Sequence, residues 1–502
     1  MQQAAGPWTG CDLGDITPLC APWRETNHLL RPAFSREAAA LSLELASSAY
    51  DMQTDRWREN GWFDFSYMID NNLLTGSAVN GENADGGFSP LRAGMYQRAA
   101  QSLVKRQNPI SLVRGTLRQR EGSDTCKCIV MAHRTGLGGF VIAIGFMGTG
   151  KRLYDWFSNF RTARDEGAHQ GFLQLTKEFE SNCARISFPQ TARELGLNEL
   201  TLSGIFNECR RPGSRFRIWM TGHSQGGAVM QLAAFRQIKN GLLRQQLIGY
   251  GFASPCVLYE NPGYDLNGFP LFHLINGDDV APRIGAFLHI GRCMVYRPDP
   301  SMRRLCYGTH MDSPAFRDCM ALAAAVHGTR EGLAFTVAFL QAVDALSDQD
   351  AAAIIGKMLG SLVPERMLMM LGSRTDQLLQ YLMRHVLHAY AAVTNGETPP
   401  EGTLARFRGR FDILIRTYGA PGFIRAMVNA LGAPHRLRGT DKASGGEAPY
   451  QSIVNRFFRS VGGRPASGNV PRAAVLPLRT GKMRPGDRFH TLTRRLRQRT
   501  LR

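Results

Sequence analysis

Apolar residues in this chain fall into two kinds of pattern. Short continuous apolar runs, typical of buried strands, lie at residues 128–133, 140–146, 216–220, 246–255 and 270–277. Elsewhere apolar residues recur at helical spacing, as in the stretch that follows the third run. Strands that alternate with helices predict an α/β fold, in which helices cover both faces of a mainly parallel sheet.

Two further helices are predicted before the third run. Ser35 offers an N-cap for a helix that ends near Tyr50 and keeps its apolar residues on one face. Residues 151–161 form a short amphipathic segment. The bulky apolar residues that share its face are Leu153, Trp156, Phe157 and Phe160. A face of this kind either packs on the core or closes over a site.

Residues 218–232 carry the strongest chemical signal. A strand-like run leads into a Gly-x-Ser-x-Gly sequence, Gly222 to Gly226, and an apolar-faced helix follows. In this setting the sequence is typical of a strained strand-to-helix turn that exposes a nucleophilic serine, here Ser224. The amide of Gln225 would then lie at the helix N-terminus, where it can donate to an oxyanion. An ordinary glycine-rich turn with a solvated serine is the alternative.

Composition places the chain among globular proteins, since 43% of its 502 residues are hydrophobic and can bury a core. Its ten cysteines include no CxxC pair, which predicts free thiols in a reducing compartment; a metal site at Cys126 and Cys128 is the less favoured alternative. The N-terminus lacks the features of a signal peptide, and no stretch reaches about 18 uncharged apolar residues. We therefore expect a cytoplasmic protein, or one bound peripherally to a membrane.

Positive charge is concentrated in the last fifth of the chain. The formal net charge is +19, and residues 401–502 hold 21 Lys and Arg against 5 Asp and Glu. Near the end, basic residues are interleaved with apolar ones. This pattern predicts contact with anionic membrane surfaces. Nucleic acid is a less favoured partner, because the regular aromatic spacing of a stacking platform is missing.

Several segments, in order, resemble the class 3 lipases, the fungal-type triacylglycerol lipase family of α/β-hydrolases. Residues 146–160 (FMGTGKRLYDWFSNF) resemble its oxyanion loop and short helical lid, and residues 168–172 (AHQGF) its H-x-G-F sequence. Residues 221–228 (TGHSQGGA) resemble its nucleophile elbow. The segments YGFASP, at 250–255, and DDVAPRI, at 278–284, complete the resemblance. It covers about residues 35–330 and implies an α/β-hydrolase fold with a mainly parallel central sheet.

The resemblance also implies roles for residues outside the triad. Thr149 would complete the oxyanion hole together with Gln225, and Trp156 would be the tryptophan of the lid. Two positions depart from the family's pattern: Met147 stands where an arginine is usual, and Gln225 where a leucine is usual. Neither departure touches the triad chemistry directly.

Two adjacent aspartates, Asp278 and Asp279, follow the fifth apolar run, and α/β-hydrolases place the acid of their triad after a strand in this way. The resemblance favours Asp279, because the family's acid stands three residues before the proline, here Pro282.

Seven histidines follow Asp279 in the chain and are candidates for the base: His289, His310, His327, His385, His388, His435 and His490. His310 precedes a cap and an N1 proline, at residues 312–314, that start a predicted helix. A loop before the last helix is where this fold presents its base, so His310 is favoured. His327, at the end of that helix, is the alternative.

The predicted organisation has four parts. Residues 1–34 form an irregular N-terminal arm, and residues 35–330 form the class 3 lipase-like α/β-hydrolase domain. Residues 331–438 form a helical extension that the family core does not require. Residues 439–502 form a basic, flexible tail.

The resemblance implies a serine ester hydrolase that cleaves acyl esters of lipids through an acyl-enzyme intermediate, with Ser224, Asp279 and His310 as its triad. The substrate would be a lipid ester, and neither a metal nor another cofactor is expected. The alternative is a degenerate hydrolase fold that binds a membrane or a partner, against which the intact triad argues. The oligomeric state is not indicated by the sequence.

Overall fold

The computed structural model describes residues 11–20, 23–26, 29–52, 54–69, 72–75, 125–136, 138–148, 164–283, 286–326, 401–439 and 444–459. In chain order, the strands are β1 (Trp23–Thr26), β2 (Leu29–Pro32), β3 (Phe63–Ile69), β4 (Asn72–Thr75), β5 (Cys128–Arg134), β6 (Phe140–Phe146), β7 (Arg164–Asp165), β8 (Ala168–His169), β9 (Phe216–His223), β10 (Leu247–Phe252), β11 (Leu271–Asn276) and β12 (Arg292–Tyr296).

The helices, in the same order, are α1 (Thr17–Cys20), α2 (Arg36–Asp51), α3 (Asp55–Glu59), α4 (Gln170–Asn182), α5 (Pro189–Glu194), α6 (Leu202–Glu208), α7 (Gln225–Lys239), α8 (Pro300–Tyr307), α9 (Pro314–Val326), α10 (Glu401–Gly432) and α11 (Pro449–Arg459). Gly419 interrupts α10 with non-helical backbone angles. Short 3-10 turns lie at Arg244–Gln246, Leu266–Gly268, Ala281–Arg283, Gly308–Asp312 and Ala433–His435.

An eight-stranded sheet forms the centre of the molecule, with the strand order β12-β11-β10-β9-β6-β5-β3-β4. Neighbouring strands in the series β12, β11, β10, β9 and β6 pair in parallel. On the other side of β6, the strands β5, β3 and β4 add antiparallel pairs. The chain passes from β6 to β9 through α4, α5 and α6, and from β9 to β10 through α7, as the alternating sequence pattern predicts. In the described residues, the links from β10 to β11 and from β11 to β12 contain a 3-10 turn each in place of a helix. The predicted α/β-hydrolase fold with a mainly parallel central sheet is confirmed.

Side chains of the central strands alternate between two buried clusters, one for each face of the sheet. In β5, Ile129 and Met131 belong to the cluster that includes α2, whereas Cys128 and Val130 belong to the cluster that includes α4 and α7. Strands that are buried on both faces read as continuous apolar runs. This explains why the sequence showed runs here instead of an alternation of apolar and polar residues.

The described C-terminal residues pack on the same core. Buried apolar side chains of α10 and α11 join the cluster that contains α2: Phe411, Ile415, Phe423, Met427, Tyr450, Ile453 and Val454. Residues 444–459, predicted to belong to a basic tail, therefore include a helix that packs against the sheet. Composition favoured a tail because glycine and charge dominate this region, but Tyr450, Ile453 and Val454 have the spacing of one helix face.

Part of the predicted irregular N-terminal arm also contacts the core. Leu13, Ile16 and Leu19 are buried in the cluster of α2. The Arg217 guanidinium on β9 donates to the carbonyl oxygens of Leu19 and Cys20, at the end of α1. A C-terminal helix end carries unpaired carbonyls and partial negative charge, so an arginine is well suited to this contact.

The ten cysteines of the chain are free thiols. Among the described helices, none is both long enough and apolar enough to cross a membrane.

Candidate functional site

A tight turn joins β9 to α7. Ser224 stands in it with φ 55° and ψ −129°, a conformation that few residues other than glycine adopt. The flanking glycines make the turn fit. A Cβ built on Gly222 would lie 2.4 Å from the backbone of Gly226, and one on Gly226 would lie 2.4 Å from the carbonyl oxygen of Phe146. A side chain at either position would therefore push the helix away from the sheet.

The Ser224 hydroxyl is not used to cap α7. A serine at this position usually accepts a hydrogen bond from an amide of the first helical turn, and here it accepts none. The Ser224 N–H donates to the carbonyl of Phe252 at 2.9 Å, which ties the turn to the end of β10. Helix α7 begins at Gln225, so its partly positive N-terminus lies beside the serine.

Asp279 follows the end of β11 and is fully buried. It accepts hydrogen bonds from the Tyr450 hydroxyl at 2.7 Å and from the Ala281 N–H at 2.9 Å. Burial acts to raise the pKa of Asp279, but the charge of His435 and the hydrogen bonds from His435, Tyr450 and Ala281 outweigh it and hold the pKa below its usual value. The carboxyl group is therefore ionised at neutral pH.

The histidine that contacts Asp279 is His435, in the 3-10 turn that follows α10. Its Nδ1 lies 3.0 Å from Asp279 Oδ2 and 3.3 Å from Oδ1. The side chain of His435 is 23% exposed, whereas that of Asp279 is not exposed. Because Nδ1 donates to the carboxylate, a neutral His435 ring carries its lone pair on Nε2 and can accept a proton there.

His223, the residue before Ser224, contacts the turn of His435. Its Nε2 donates to the backbone carbonyl of His435 at 2.9 Å, and the two rings are 4.6 Å apart. Since Nε2 carries the proton, Nδ1 accepts a hydrogen bond from the Tyr50 hydroxyl at 2.7 Å. Burial, together with the charge of His435, lowers the pKa of His223 to about 3, so this residue stays neutral. His435 is thus held against the residue that directly precedes Ser224.

Gly148 lies at the start of the loop that follows β6, and it packs against the same turn. A Cβ built there would lie 2.2 Å from the Tyr50 hydroxyl, 2.4 Å from the carbonyl oxygen of His223 and 3.2 Å from the Ser224 Cβ. Only glycine allows this close approach. The loop predicted to hold the second oxyanion donor therefore starts next to Ser224 in space. Thr149 itself lies outside the described residues.

Asp278 makes contacts of a different kind from those of Asp279. Its carboxylate forms two hydrogen bonds with the Arg303 guanidinium, at 2.6 and 2.8 Å, and accepts another from the Tyr307 hydroxyl at 3.0 Å. Asp278 thus binds α8. Among the residues that the structure describes, a histidine contacts Asp279 and none contacts Asp278.

His310 lies in the 3-10 turn Gly308–Asp312, half-buried, with its ring stacked on Phe316 at 5.2 Å. The structure does not bring His310 to Asp279; that position is taken by His435. The other two predicted site residues, His327 as the alternative base and Trp156 of the lid, lie outside the described residues.

Residues 144–288 match the family described as Lipase (class 3). This segment belongs to the class 3 lipase family. The class 3 lipase segment contains Ser224 and Asp279, whereas His435 and Tyr450 lie beyond it. None of the curated proteins matches the chain.

Solved structures similar to part of this chain include three lipases from Rhizomucor and Rhizopus species. The Rhizomucor miehei lipase propeptide complex is 20% identical over 34% of this chain and 52% of that chain, with a TM-score of 0.25. Lipase II from Rhizopus niveus is 19% identical over 34% and 61%, with a TM-score of 0.24. The lipase from Rhizopus microsporus var. chinensis is 22% identical over 35% and 58%, with a TM-score of 0.26. This chain thus spans between about half and three fifths of the length of each.

Two residues of this candidate site were not singled out from the sequence. His435 was one of seven candidates, and its only local signal is an irregular turn, Ala433-Pro434-His435, directly after a helical stretch. That is the same kind of signal that favoured His310, and it does not separate the two. No local sequence pattern marks Tyr450 as a functional residue, because it lies in a glycine-rich, charged region. It contacts Asp279 only because α11 packs on the core.

Proposed function

We propose that this protein is a serine ester hydrolase that cleaves acyl esters of lipids, with Ser224 as nucleophile, His435 as base and Asp279 as the acid that orients the base. The observation that carries the proposal is the hydrogen bond between His435 Nδ1 and the buried Asp279, beside the strained turn of Ser224. The match of residues 144–288 to the class 3 lipases supports the lipid ester as substrate class.

In the first half of the reaction, His435 Nε2 takes the proton from the Ser224 hydroxyl as the oxygen attacks the ester carbonyl. The resulting imidazolium is stabilised by the Asp279 carboxylate, which the three hydrogen bonds described above keep ionised. Collapse of the tetrahedral intermediate breaks the bond to the alcohol. The alcohol leaves with the proton from His435, and the acyl group stays on Ser224.

In the second half, a water molecule gives its proton to His435 and attacks the acyl-enzyme, and the carboxylic acid is released as Ser224 regains its proton. Negative charge forms on the carbonyl oxygen in both halves. The proposed donors to this oxygen are the amide of Gln225, at the N-terminus of α7, and Thr149. Trp156 is proposed to belong to a lid over the site.

The test is replacement of the nucleophile. Ser224→Ala should abolish hydrolysis of triacylglycerol emulsions and of soluble p-nitrophenyl esters, and it should also abolish labelling by a fluorophosphonate probe, since the covalent step needs the serine oxygen. Ser181→Ala, on the exposed end of α4, is the matched control and should keep both. Turnover by Ser224→Ala that equals the wild type would refute the proposal.

A further inference from the structure

The proposed acid and base come from distant parts of the chain. Asp279 and His435 are 156 residues apart in sequence, yet they must hold one hydrogen-bond geometry. The entropy of closing so long a loop opposes this contact, and their own hydrogen bond is a small part of what is needed to offset it. Further contacts must therefore fix the turn of His435 against the turn of Asp279.

Asn276 makes such contacts with its side chain. It is the last residue of β11 and is fully buried. Its Nδ2 donates to the carbonyl oxygen of Pro434, the residue before His435, at 3.0 Å. Its Oδ1 accepts from the N–H of Asp278, the residue before Asp279, at 3.2 Å. One planar amide thus joins the two turns.

The backbone of Asn276 adds two contacts on the acid's side. Its carbonyl oxygen accepts from the Asp279 N–H at 3.0 Å. Its N–H donates to the Tyr450 hydroxyl at 3.2 Å, and that hydroxyl in turn donates to Asp279 Oδ2 at 2.7 Å. Asn276 therefore contacts the turn of the acid, the turn of the base and the tyrosine that binds the acid.

We propose that Asn276 is a positioning residue, which sets the place of His435 relative to Asp279; the proposal rests on the function proposed above. Asparagine suits this role because its amide supplies a donor and an acceptor at a fixed separation. Aspartate has nearly the same shape and keeps the acceptor. It lacks the donor for the Pro434 carbonyl, and two oxygens would then face each other in a buried place.

The experiment compares Asn276→Asp and Asn276→Ser with the wild type and with Asn182→Asp. Asn182 is a matched control, because it is also buried and its side-chain amide also donates to a backbone carbonyl, that of Glu178 at 2.9 Å, in helix α4.

The number of reactive serines is measured by end-point titration with a fluorophosphonate. We expect kcat per reactive serine to fall about 100-fold in both Asn276 variants with KM nearly unchanged, since a displacement of about 1 Å at a catalytic group costs this much. Asn182→Asp should stay within about twofold of the wild type.

A second measurement does not depend on turnover. A proton shared between a histidine Nδ1 and a carboxylate gives a far-downfield proton NMR signal, which is assigned to His435 by its loss in His435→Ala. We expect this signal in the wild type and in Asn182→Asp, and its loss or upfield shift in both Asn276 variants. The serine variant adds no charge, so it separates loss of the bridge from electrostatic effects.

The outcomes distinguish the two proposals. If the Asn276 variants keep the kcat per reactive serine and the downfield signal and lose only thermal stability, Asn276 is a structural residue and the positioning role is refuted. If the wild type hydrolyses no ester, the proposed function fails instead, and the NMR signal still decides whether Asn276 positions His435.

Discussion

The contacts of single side chains at Asp279 support His435 as the proposed base. A buried carboxylate is costly unless its oxygens accept several hydrogen bonds, and Asp279 accepts them from His435, Tyr450 and Ala281. Asp278, one residue away, is satisfied by Arg303 and Tyr307. Two adjacent carboxylates thus have separate partners, and the histidine belongs to only one of them.

His435→Ala should reduce ester hydrolysis by at least about 1,000-fold, close to the loss in Ser224→Ala, because members of a triad act as a unit. His310→Ala should keep most of the activity, since its ring stacks on Phe316 and not on the acid. Steady-state kinetics on a soluble ester measure both. If His310→Ala were inactive and His435→Ala active, the assignment of the base made here would be wrong.

Three buried histidines should make the fold sensitive to acid. Burial lowers the pKa of His223 and of His273 to about 3 and that of His289 to about 4, whereas an unfolded histidine titrates near 6.5. Below about pH 6.5 the unfolded chain therefore binds protons that the folded chain does not. Each such histidine lowers the free energy of unfolding by up to about 1.4 kcal/mol per pH unit, and stability falls as the pH drops toward 4.

Chemical denaturation between pH 4 and 8 measures this effect. His273→Gln should make the acid-side decline shallower, because glutamine does not titrate and its side-chain amide can replace the donor to the Ile290 carbonyl. A decline with the same slope as in the wild type would show that His273 does not contribute to it.

At the scale of elements, α11 and the segment before it hold the turn of His435 in place. The Arg436 guanidinium donates to the carbonyl of Cys306 at 2.7 Å and to that of Gly446 at 3.0 Å. The Glu447 N–H donates to the carbonyl of Leu305 at 2.9 Å. Helix α8, the turn of His435 and the start of α11 thus form one packed unit.

A chain shortened to end at Gly439 should therefore lose activity, whereas one that ends at Arg459 should keep it. The shorter chain lacks Tyr450, Ile453 and Val454, and each buried side chain of this size contributes about 1.5 to 3 kcal/mol. That sum approaches the whole stability of an ordinary domain. Thermal unfolding and hydrolysis of a soluble ester test both chains. Equal unfolding temperatures would contradict the packing role of α11.

At the scale of the whole molecule, the distribution of charge is uneven. Residues 460–502 carry 11 Lys and Arg against one Asp, and they lie outside the described residues. We expect this segment to bind anionic membranes, because each basic residue near such a surface contributes about 1 kcal/mol.

Vesicle co-sedimentation should show that the full chain binds anionic vesicles and binds neutral ones only weakly. High salt should release the chain from anionic vesicles, because it shortens the Debye length and screens the attraction. The chain that ends at Arg459 is the control and should lose most of the binding. Equal binding by both chains, or binding that ignores lipid charge, would remove the membrane role. Binding to RNA in preference to vesicles would point to a nucleic-acid partner instead.

Features encoded within a few neighbouring residues were predictable from the sequence. The runs at β5, β6, β9, β10 and β11 follow from burial on both faces of the sheet, and the turn of Ser224 follows from glycines that leave room for close contact. Asp279 could be proposed because its proline and the end of its strand lie within a few positions. In each case the physical cause acts locally.

The partners of Asp279 were decided by tertiary structure alone. His435 and Tyr450 lie 156 and 171 residues after the acid, in segments whose composition suggested an extension and a tail. Their positions depend on the burial of one face of α10 and of α11 against the cluster of α2. Such packing is a property of surfaces that meet only in the folded chain. A lone histidine in an irregular turn therefore gives the same local signal whether it meets a buried carboxylate, as His435 does, or a neighbouring aromatic ring, as His310 does.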